Sequence, residues 1–435
     1  MTDTLPVPVD TAPLEGIPSN TAVPMRSLGV ERFTSAEFAR READQLWSKV
    51  WQMACRLTDI PNPGDYHEYQ ILDQSILVVR QPDGGLRALM NACRHKGRAL
   101  VCGSGKADEF KCPYHGWTYS LDGALKYALS PDEFPVGPSY SLVECRVDTW
   151  GGFVFITMDP DAPPLLEYLG SVPEHLAPYE YEKMEMHHAV TLRLPLNWKL
   201  SMDPFIEAYH TAGTHPQLLL SLDDVNSVYE LEGIHSMMIN PWMVASPRVG
   251  EVTPQAVFED MVSQLEGIGY TVFSGYELPE GADLVEFWAS MTRDIAATNN
   301  LDLSKLSDAQ MTANYGWLLF PNFCLQATAT ETLAWRARPD ANDPNYCFID
   351  QYMLRPVPEG TSIEPCPREY YENWRDFDCG LVLTQDYENM SNMTKGMRQR
   401  GFTEVLAAEY QEKRVLHLHD VIDRFLEGRP WDKIL

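Results

Sequence analysis

The segment NACRHKGRALVCGSGKADEFKCPYHGWTY, residues 91–119, carries Cys93-x-His95 and then Cys112-x-x-His115. Each pair joins one soft thiolate to one imidazole, whereas a zinc finger usually groups its cysteines together and its histidines together. Two loops that each supply one Cys and one His can put two thiolates on one iron and two imidazoles on the other iron of a [2Fe–2S] centre, so the order of ligands favours iron and sulfur. Gly97 and Gly116 allow tight turns beside the ligands, and Pro113 stiffens the second loop. Cys102, between the pairs, has no partner in the pattern and reads as an ordinary small apolar residue.

Working outward, apolar residues from Phe33 to Trp51 fall at helical intervals, with Ser35 placed to cap and Glu37 in the first turn. Short strand-like runs follow: HEYQILD, SILVVR and LRALMNA around the turn residues QPDGG, then a hairpin pattern in WTYSLDGALKY and a strand in GGFVFITMD. Near PDAPPLLEYL the pattern changes, which places a domain boundary around residue 160. Beyond it, HHAVTLRLPL, WLLFPNFCLQATA, TLAWRAR and CFIDQYMLRPV read as strands, interleaved with helical stretches at 255–266, 283–297 and 403–427. The pattern predicts an α+β chain: a mobile Pro-rich arm over 1–25, a leading helix and β-rich cluster domain over 26–160, and a second domain with a mainly antiparallel sheet over 161–435.

Composition narrows the function classes. The 435 residues exceed what one core usually absorbs, and 44 % hydrophobic with 22 % charged residues is ordinary for a globular protein. No run approaches the length of a membrane span, and MTDTLPVPVDTAPLEGIPSN lacks the basic region and apolar core of a secretory signal, so the expected compartment is the cytoplasm. Nine cysteines, an odd number spread along the chain, fit reduced thiols or metal ligands better than a disulfide framework. A net charge of −28 argues against nucleic acid and anionic membranes as partners. Against that background Arg94, Lys96, Arg98, Lys106 and Lys111 form a local cationic excess, opposed only by Asp108 and Glu109.

A second constellation lies in NWKLSMDPFIEAYHTAGTH, residues 197–215. Glu207 and His210 are three apart and so share a helix face, while Gly213 and Pro216 end the helix before His215. Two neutral imidazoles suit iron, and a site of two histidines and one carboxylate leaves coordination positions open. For the carboxylate the chain offers CGLVLTQDYENM, with Asp386 just inside a helix start capped by Thr384; an Asp there is equally accounted for by the helix dipole.

Together these segments resemble the Rieske non-haem iron oxygenases, specifically the large (alpha, oxygenase-component) subunits of the aromatic-ring-hydroxylating dioxygenase family. CPYHGW is similar to their cluster loop, NWK followed by an acid, Tyr209-His210 and His215 to their catalytic motif, and QDYEN to their third-ligand segment. RREADQLWSKVWQ before the cluster and LFPNF late in the chain extend the likeness over nearly its whole length. The resemblance implies a 2Fe-2S Rieske cluster on Cys93, His95, Cys112 and His115, and a mononuclear Fe(II) on His210, His215 and Asp386, with O2 as co-substrate. It implies a helix-grip catalytic domain. Glu207 takes the place of the acid that links the iron to a neighbouring subunit's cluster through the residue equivalent to His115. That acid is more often Asp in the family, and QDYEN is one residue shorter than the commoner segment, which leaves Asp376, Asp378 and Glu388 as competing acids. Respiratory-type Rieske proteins add a disulfide between the two loops; Arg98 and Tyr114 stand at those positions, so the resemblance implies the low-potential cluster type.

The implied partners are a reductase, directly or through a ferredoxin, and a small organic substrate. The implied assembly is a homotrimer, or an alpha3beta3 complex with a small beta subunit. The first expectation for the reaction is ring cis-dihydroxylation; the alternatives are monohydroxylation or oxidative O- or N-demethylation, including that of quaternary amines, and, least favoured, electron transfer alone. HSMMINPWMVA and NYGWLLFPNF, rich in Met and aromatic residues, suit either an apolar pocket or ordinary core filling.

Overall fold

The computed structural model describes residues 27–134, 137–267 and 270–435; the arm expected over 1–25 lies outside the described residues. Strand β1 (Ser27–Gly29) pairs antiparallel with Glu404–Leu406, which ties the leading segment to the C-terminal part of the chain. The helical run expected from Phe33 is interrupted at Ser35. There the backbone turns extended, and the hydroxyl accepts hydrogen bonds from Glu37 N at 3.2 Å and Phe38 N at 3.3 Å, starting the helix Ala36–Glu42 that continues as a π turn over Ala43–Trp47. This segment packs inward: Trp47 meets Trp198 edge-on at 5.0 Å between centroids, and Glu42 pairs with Lys199 at 2.7 Å. Both members of that pair are buried, so neither charge tolerates loss of the other.

The turn-punctuated runs form a seven-stranded sheet built from β2 (Gln52–Arg56), β3 (Asp65–Ile71), β4 (Gln74–Arg80), β5 (Leu86–Met90) and β6 (Ser104–Lys106). A three-stranded sheet follows, of β7 (Phe110–Lys111), β8 (Thr118–Tyr119) and β9 (Leu125–Tyr127). Strands β10 (Glu144–Trp150) and β11 (Phe153–Thr157) then return to complete the first sheet in the order β2-β11-β10-β5-β4-β3-β6. A small core that includes Leu77, Leu89, Phe110, Trp117 and Tyr119 lies beneath the two motif loops and takes in Cys93 and Cys112.

The second sheet has eight strands: β12 (Met184–Leu194), β13 (Val228–Glu232), β14 (His235–Pro241), β15 (Ala313–Leu319), β16 (Phe323–Ala327), β17 (Thr332–Pro339), β18 (Cys347–Pro356) and β19 (Glu369–Tyr371). Its order is β13-β14-β15-β16-β17-β18-β12-β19, antiparallel throughout except for the parallel β12–β19 pair. WLLFPNFCLQATA, read as one strand, folds as the end of β15 and the whole of β16, joined by a turn at Pro321 and Asn322. The helices Leu284–Thr298, Gly380–Met397 and Lys413–Leu426 put buried residues into the core shared with this sheet, and the helix Pro254–Gly267 packs with Leu284–Thr298 in a smaller core. The helix expected over 403–427 is shorter because Glu404–Leu406 is drawn off to pair with β1. Asp350, on β18, binds both Arg336 and Arg338 at 2.7 Å, and Arg336 Nη1 donates to Ala54 O of β2 at 3.0 Å, so a buried ion cluster joins the two sheets. Among the described residues no helix is long and apolar enough to cross a membrane.

Candidate functional site

The two motif loops share one backbone pattern. Cys93 N donates to Arg98 O and Gly97 N to Cys93 O; Cys112 N donates to Trp117 O and Gly116 N to Cys112 O, all between 2.7 and 2.9 Å. Each loop closes through a glycine at positive φ, +74° at Gly97 and +72° at Gly116, where a side chain would be strained. The outcome is two matched turns that bury Cys93 and Cys112 and bring the rings of His95 and His115 to 4.6 Å between centroids. His95 stacks on Trp117 at 5.2 Å, and its buried Nδ1 has no hydrogen-bond partner. An orphaned imidazole nitrogen beside two buried thiols is what a metal cluster would satisfy, so this donor set fits a [2Fe–2S] group. Tyr119 adds a contact that the motif did not reveal: its hydroxyl lies 3.4 Å from Cys93 Sγ and accepts from Arg94 N at 2.9 Å. All nine cysteines are free; Arg98 is exposed and Tyr114 is 61 % exposed. Cys102, read as an apolar filler, is also exposed.

In the second constellation Glu207 and His210 do not share a continuous helix. The helix Asp203–Ile206 ends at Glu207, whose backbone is extended at φ −145° and ψ 158°, and a new turn runs over Thr211–Thr214. The carboxylate bridges the break: Oε2 accepts from His210 N at 3.0 Å and Oε1 lies 2.7 Å from His210 Nδ1. His215 stands just past the second turn, with Nδ1 held at 2.9 Å by Gln385 Oε1. Asp386 lies inside the helix Gly380–Met397 and Thr384 lies inside it too, so the expected Thr384 cap is not formed; Asp378 instead accepts from Gly380 N at 3.0 Å at the helix start.

One ligand atom from each of His210, His215 and Asp386 falls within 4.8 Å of the others. Asp386 Oδ1 is 2.9 Å from His215 Nε2 and 3.7 Å from His210 Nε2, and Asp386 and His215 are buried. Acceptors on both Nδ1 atoms favour the tautomers that carry the proton there, leaving each Nε2 a bare lone pair aimed at a carboxylate oxygen. A cation between the two Nε2 atoms and Asp386 Oδ1 would take the place of the proton that otherwise joins His215 Nε2 to Asp386 Oδ1 at 2.9 Å, so the set fits a mononuclear metal. Burial opposes charging His210, but Glu207 and then Asp386 outweigh it and raise its pKa. Burial, with Glu207 and Glu412 adding to it, pushes the Asp203 carboxyl well above the usual carboxylate range.

The competing acids lie elsewhere. Glu388 is half-exposed and bound by Arg375 at 2.9 Å through both oxygens, while Asp376 and Asp378 are exposed. Sequence reasoning missed Gln385 and Gln217, whose amides meet at 2.8 Å beside His215; the one signal was the position of Gln385 immediately before Asp386.

Comparison with known proteins gives two family matches: "Ring hydroxylating alpha subunit (catalytic domain)" over residues 181–428 and "Rieske [2Fe-2S] domain" over residues 50–140. The chain is 35 % identical over 190 residues to the glycine betaine monooxygenase oxygenase subunit of Pseudomonas aeruginosa, covering 42 % of this chain and 44 % of that protein. It is 34 % identical over 190 residues to the carnitine monooxygenase oxygenase subunit of Escherichia coli, covering 42 % of this chain and 50 % of that protein. The matched region thus spans half or less of these curated relatives. Among solved structures, a quaternary ammonium Rieske monooxygenase superposes with a TM-score of 0.67 at 18 % identity, covering 95 % of this chain and 100 % of the other. Naphthalene 1,2-dioxygenase with bound indole gives 0.66 at 18 % identity, covering 94 % of each. These superpositions establish the fold.

Proposed function

From the chain's membership of the ring-hydroxylating alpha-subunit family, with a Rieske domain followed by the catalytic domain, we propose that it is a terminal oxygenase acting as a monooxygenase on a quaternary or N-methylated amine. The convergence of His210, His215 and Asp386 carries the oxygenase reading. The substrate class rests on the glycine betaine and carnitine monooxygenase relatives, which shift the reading away from ring cis-dihydroxylation, the first expectation from sequence.

The two domains imply a Rieske cluster and a mononuclear iron, which when bound supply electron delivery and activation of dioxygen respectively. In this proposal Cys93, His95, Cys112 and His115 hold the cluster, and His210, His215 and Asp386 hold the iron. Glu207 keeps the proton on His210 Nδ1 and Gln385 keeps it on His215 Nδ1, so both Nε2 atoms face the metal. Asp386 supplies the one negative charge of the ligand set from a buried position. Tyr119 is placed to donate its O–H to Cys93 Sγ, a contact that tunes cluster potential in general.

Overall, one oxygen atom enters a carbon attached to nitrogen, the hydroxylated carbon leaves as an aldehyde with loss of the C–N bond, and two electrons and two protons take the second oxygen to water. A reductase, directly or through a ferredoxin, supplies those electrons. Family resemblance supports a trimer in which a neighbouring subunit's cluster serves each iron, with Glu207 as the link. The test is product analysis with a surrogate reductase. Oxygen uptake dependent on a quaternary amine, with equimolar aldehyde and tertiary amine, supports the proposal; a cis-dihydrodiol from an aromatic substrate, with no turnover of amines, overturns it.

A further inference from the structure

The two histidines of the metal site are oriented by different kinds of partner. His210 Nδ1 lies 2.7 Å from the Glu207 carboxylate, which when ionised can only accept and so fixes the ring proton on that nitrogen unaided. His215 Nδ1 faces an amide instead, Gln385 Oε1 at 2.9 Å. The oxygen and NH2 ends of an amide are nearly the same size, so packing alone does not decide which of them faces the ring. An NH2 turned to His215 Nδ1 would donate there and leave the ring proton on Nε2, the nitrogen that stands 2.9 Å from Asp386 Oδ1 and has to be bare to hold a metal.

Gln217 supplies the donor that makes the choice. Its Nε2 donates to Gln385 Oε1 at 2.8 Å, so the one oxygen accepts from Gln217 and from His215 together, and an NH2 group in that place would meet the NH2 of Gln217. Gln217 is presented from a fixed position. It lies in the short turn Pro216–Leu218 directly after His215, and Gln264 of the helix Pro254–Gly267 donates to its backbone oxygen at 3.3 Å and to Ser221 Oγ at 3.1 Å. Asp260, one turn earlier on that helix, lies 2.6 Å from the same Gln264 Nε2. From the helix Gly380–Met397, Asn389 Nδ2 donates to Thr214 Oγ1 at 3.0 Å, so two helices hold the segment that carries His215.

We propose that Gln217 is a positioning residue for the mononuclear metal: it keeps the oxygen of Gln385 turned to His215 and thereby keeps His215 Nε2 bare. It acts through Gln385 and not on the metal itself. The inference rests on the metal site proposed above.

The experiment compares Gln217→Met, Gln217→Glu and Asn389→Ala as full-length proteins whose visible spectrum shows the cluster in place. Gln217→Met removes the donor at nearly constant size, and iron(II) at the mononuclear site is expected to bind about 3–10-fold more weakly in competition with a calibrated chelator, less than the loss that follows removal of a direct partner of a ligating His. Gln217→Glu puts an acceptor where the donor was and draws the NH2 end of Gln385 toward His215, with an expected loss of about 10–100-fold. Charge alone would have the opposite effect, since a carboxylate attracts a metal cation, so the order wild type, Met, Glu separates the two causes. With cobalt(II) in the mononuclear site, the shifted Nδ1–H resonance of His215 should exchange faster with D2O in Gln217→Met while that of His210 stays as in the wild type. Where Gln217→Glu loses the cluster spectrum, this exchange rate carries the test. Binding in Gln217→Glu as tight as in the wild type, or unchanged exchange in Gln217→Met, would overturn the assignment. So would an equal loss of affinity in Asn389→Ala, which cuts a tether of the same segment away from the His215 ring. Wild-type protein that takes up no mononuclear metal rejects the metal site itself, so the two readings fail separately.

Discussion

Replacing Glu207 by Gln preserves side-chain size while removing the charge that spans the break between two short helical turns. The carboxylate accepts from His210 N at 3.0 Å and holds His210 Nδ1 at 2.7 Å, and it is only 6 % exposed, so water screens neither contact well. A hydrogen bond to a charged group contributes about 1.5–3 kcal/mol and a neutral one about 0.5–1.5 kcal/mol, so the ring contact loses roughly 1–1.5 kcal/mol. The Gln amide has one acceptor where Glu has two, so one of the two contacts is also left unmatched. Together these losses predict iron bound about 10–100-fold more weakly at the mononuclear site, the range seen when a partner of a metal-ligating His is removed. Glu207→Asp keeps the charge but shortens the reach, and is expected to fall between wild type and the Gln variant. Competition with a calibrated chelator measures the affinity, and rapid mixing of reduced enzyme with oxygen and substrate measures cluster oxidation, which the Gln variant slows. Wild-type iron retention together with wild-type cluster oxidation in Glu207→Gln would refute both the orienting and the linking roles.

Buried ionisable groups outside the metal sites make further outcomes measurable. His235 donates from Nε2 to Tyr168 O at 2.7 Å and accepts at Nδ1 from Phe320 N at 2.9 Å, and burial pushes its pKa down to about 4. The unfolded chain takes up that proton near pH 6.5, so the His235 contribution is fully present above that pH and is lost as pH falls toward 4, by up to about 3 kcal/mol. Urea unfolding between pH 7 and pH 5 should show the decline, with a flatter slope in His235→Gln. Asp350→Ala strands Arg336 and Arg338 in the buried cluster that joins the two sheets and is expected to cost about 3–5 kcal/mol, read as a lowered urea midpoint. The five cations around the cluster loops are all exposed; reversing Lys106 and Lys111 to Glu should slow reduction by an acidic electron donor and flatten its salt dependence in stopped-flow measurements.

The two motif turns were legible because each is closed locally: the paired backbone bonds at Cys93/Gly97 and Cys112/Gly116 involve residues no more than five apart. The nearness of His210 and His215 to each other was legible from their spacing, but the helical relation of His210 to Glu207 was not. Spacing reports which residues could share a face; it does not report that Glu207 turns extended and caps the following turn with its side chain. Asp386 meets His215 from 171 residues away, a proximity fixed by how the helix Gly380–Met397 lies on the sheet and visible in sequence only through resemblance. The start of that helix was misplaced at Thr384 because a Ser/Thr cap was sought, whereas Gly380 at φ +71° begins it with Asp378 as acceptor. The β12–β19 parallel pair and the β1 pairing with Glu404–Leu406 join distant segments that carry no local signal.

The measurement that bears most directly on the central claim is iron stoichiometry in Asp386→Ala, alongside the visible spectrum of the cluster and substrate-dependent oxygen uptake. The account predicts loss of the mononuclear iron and of oxygen uptake, with the two cluster irons and their spectrum retained on Cys93, His95, Cys112 and His115. Asp386→Ala enzyme that keeps its full iron content and full turnover would contradict it.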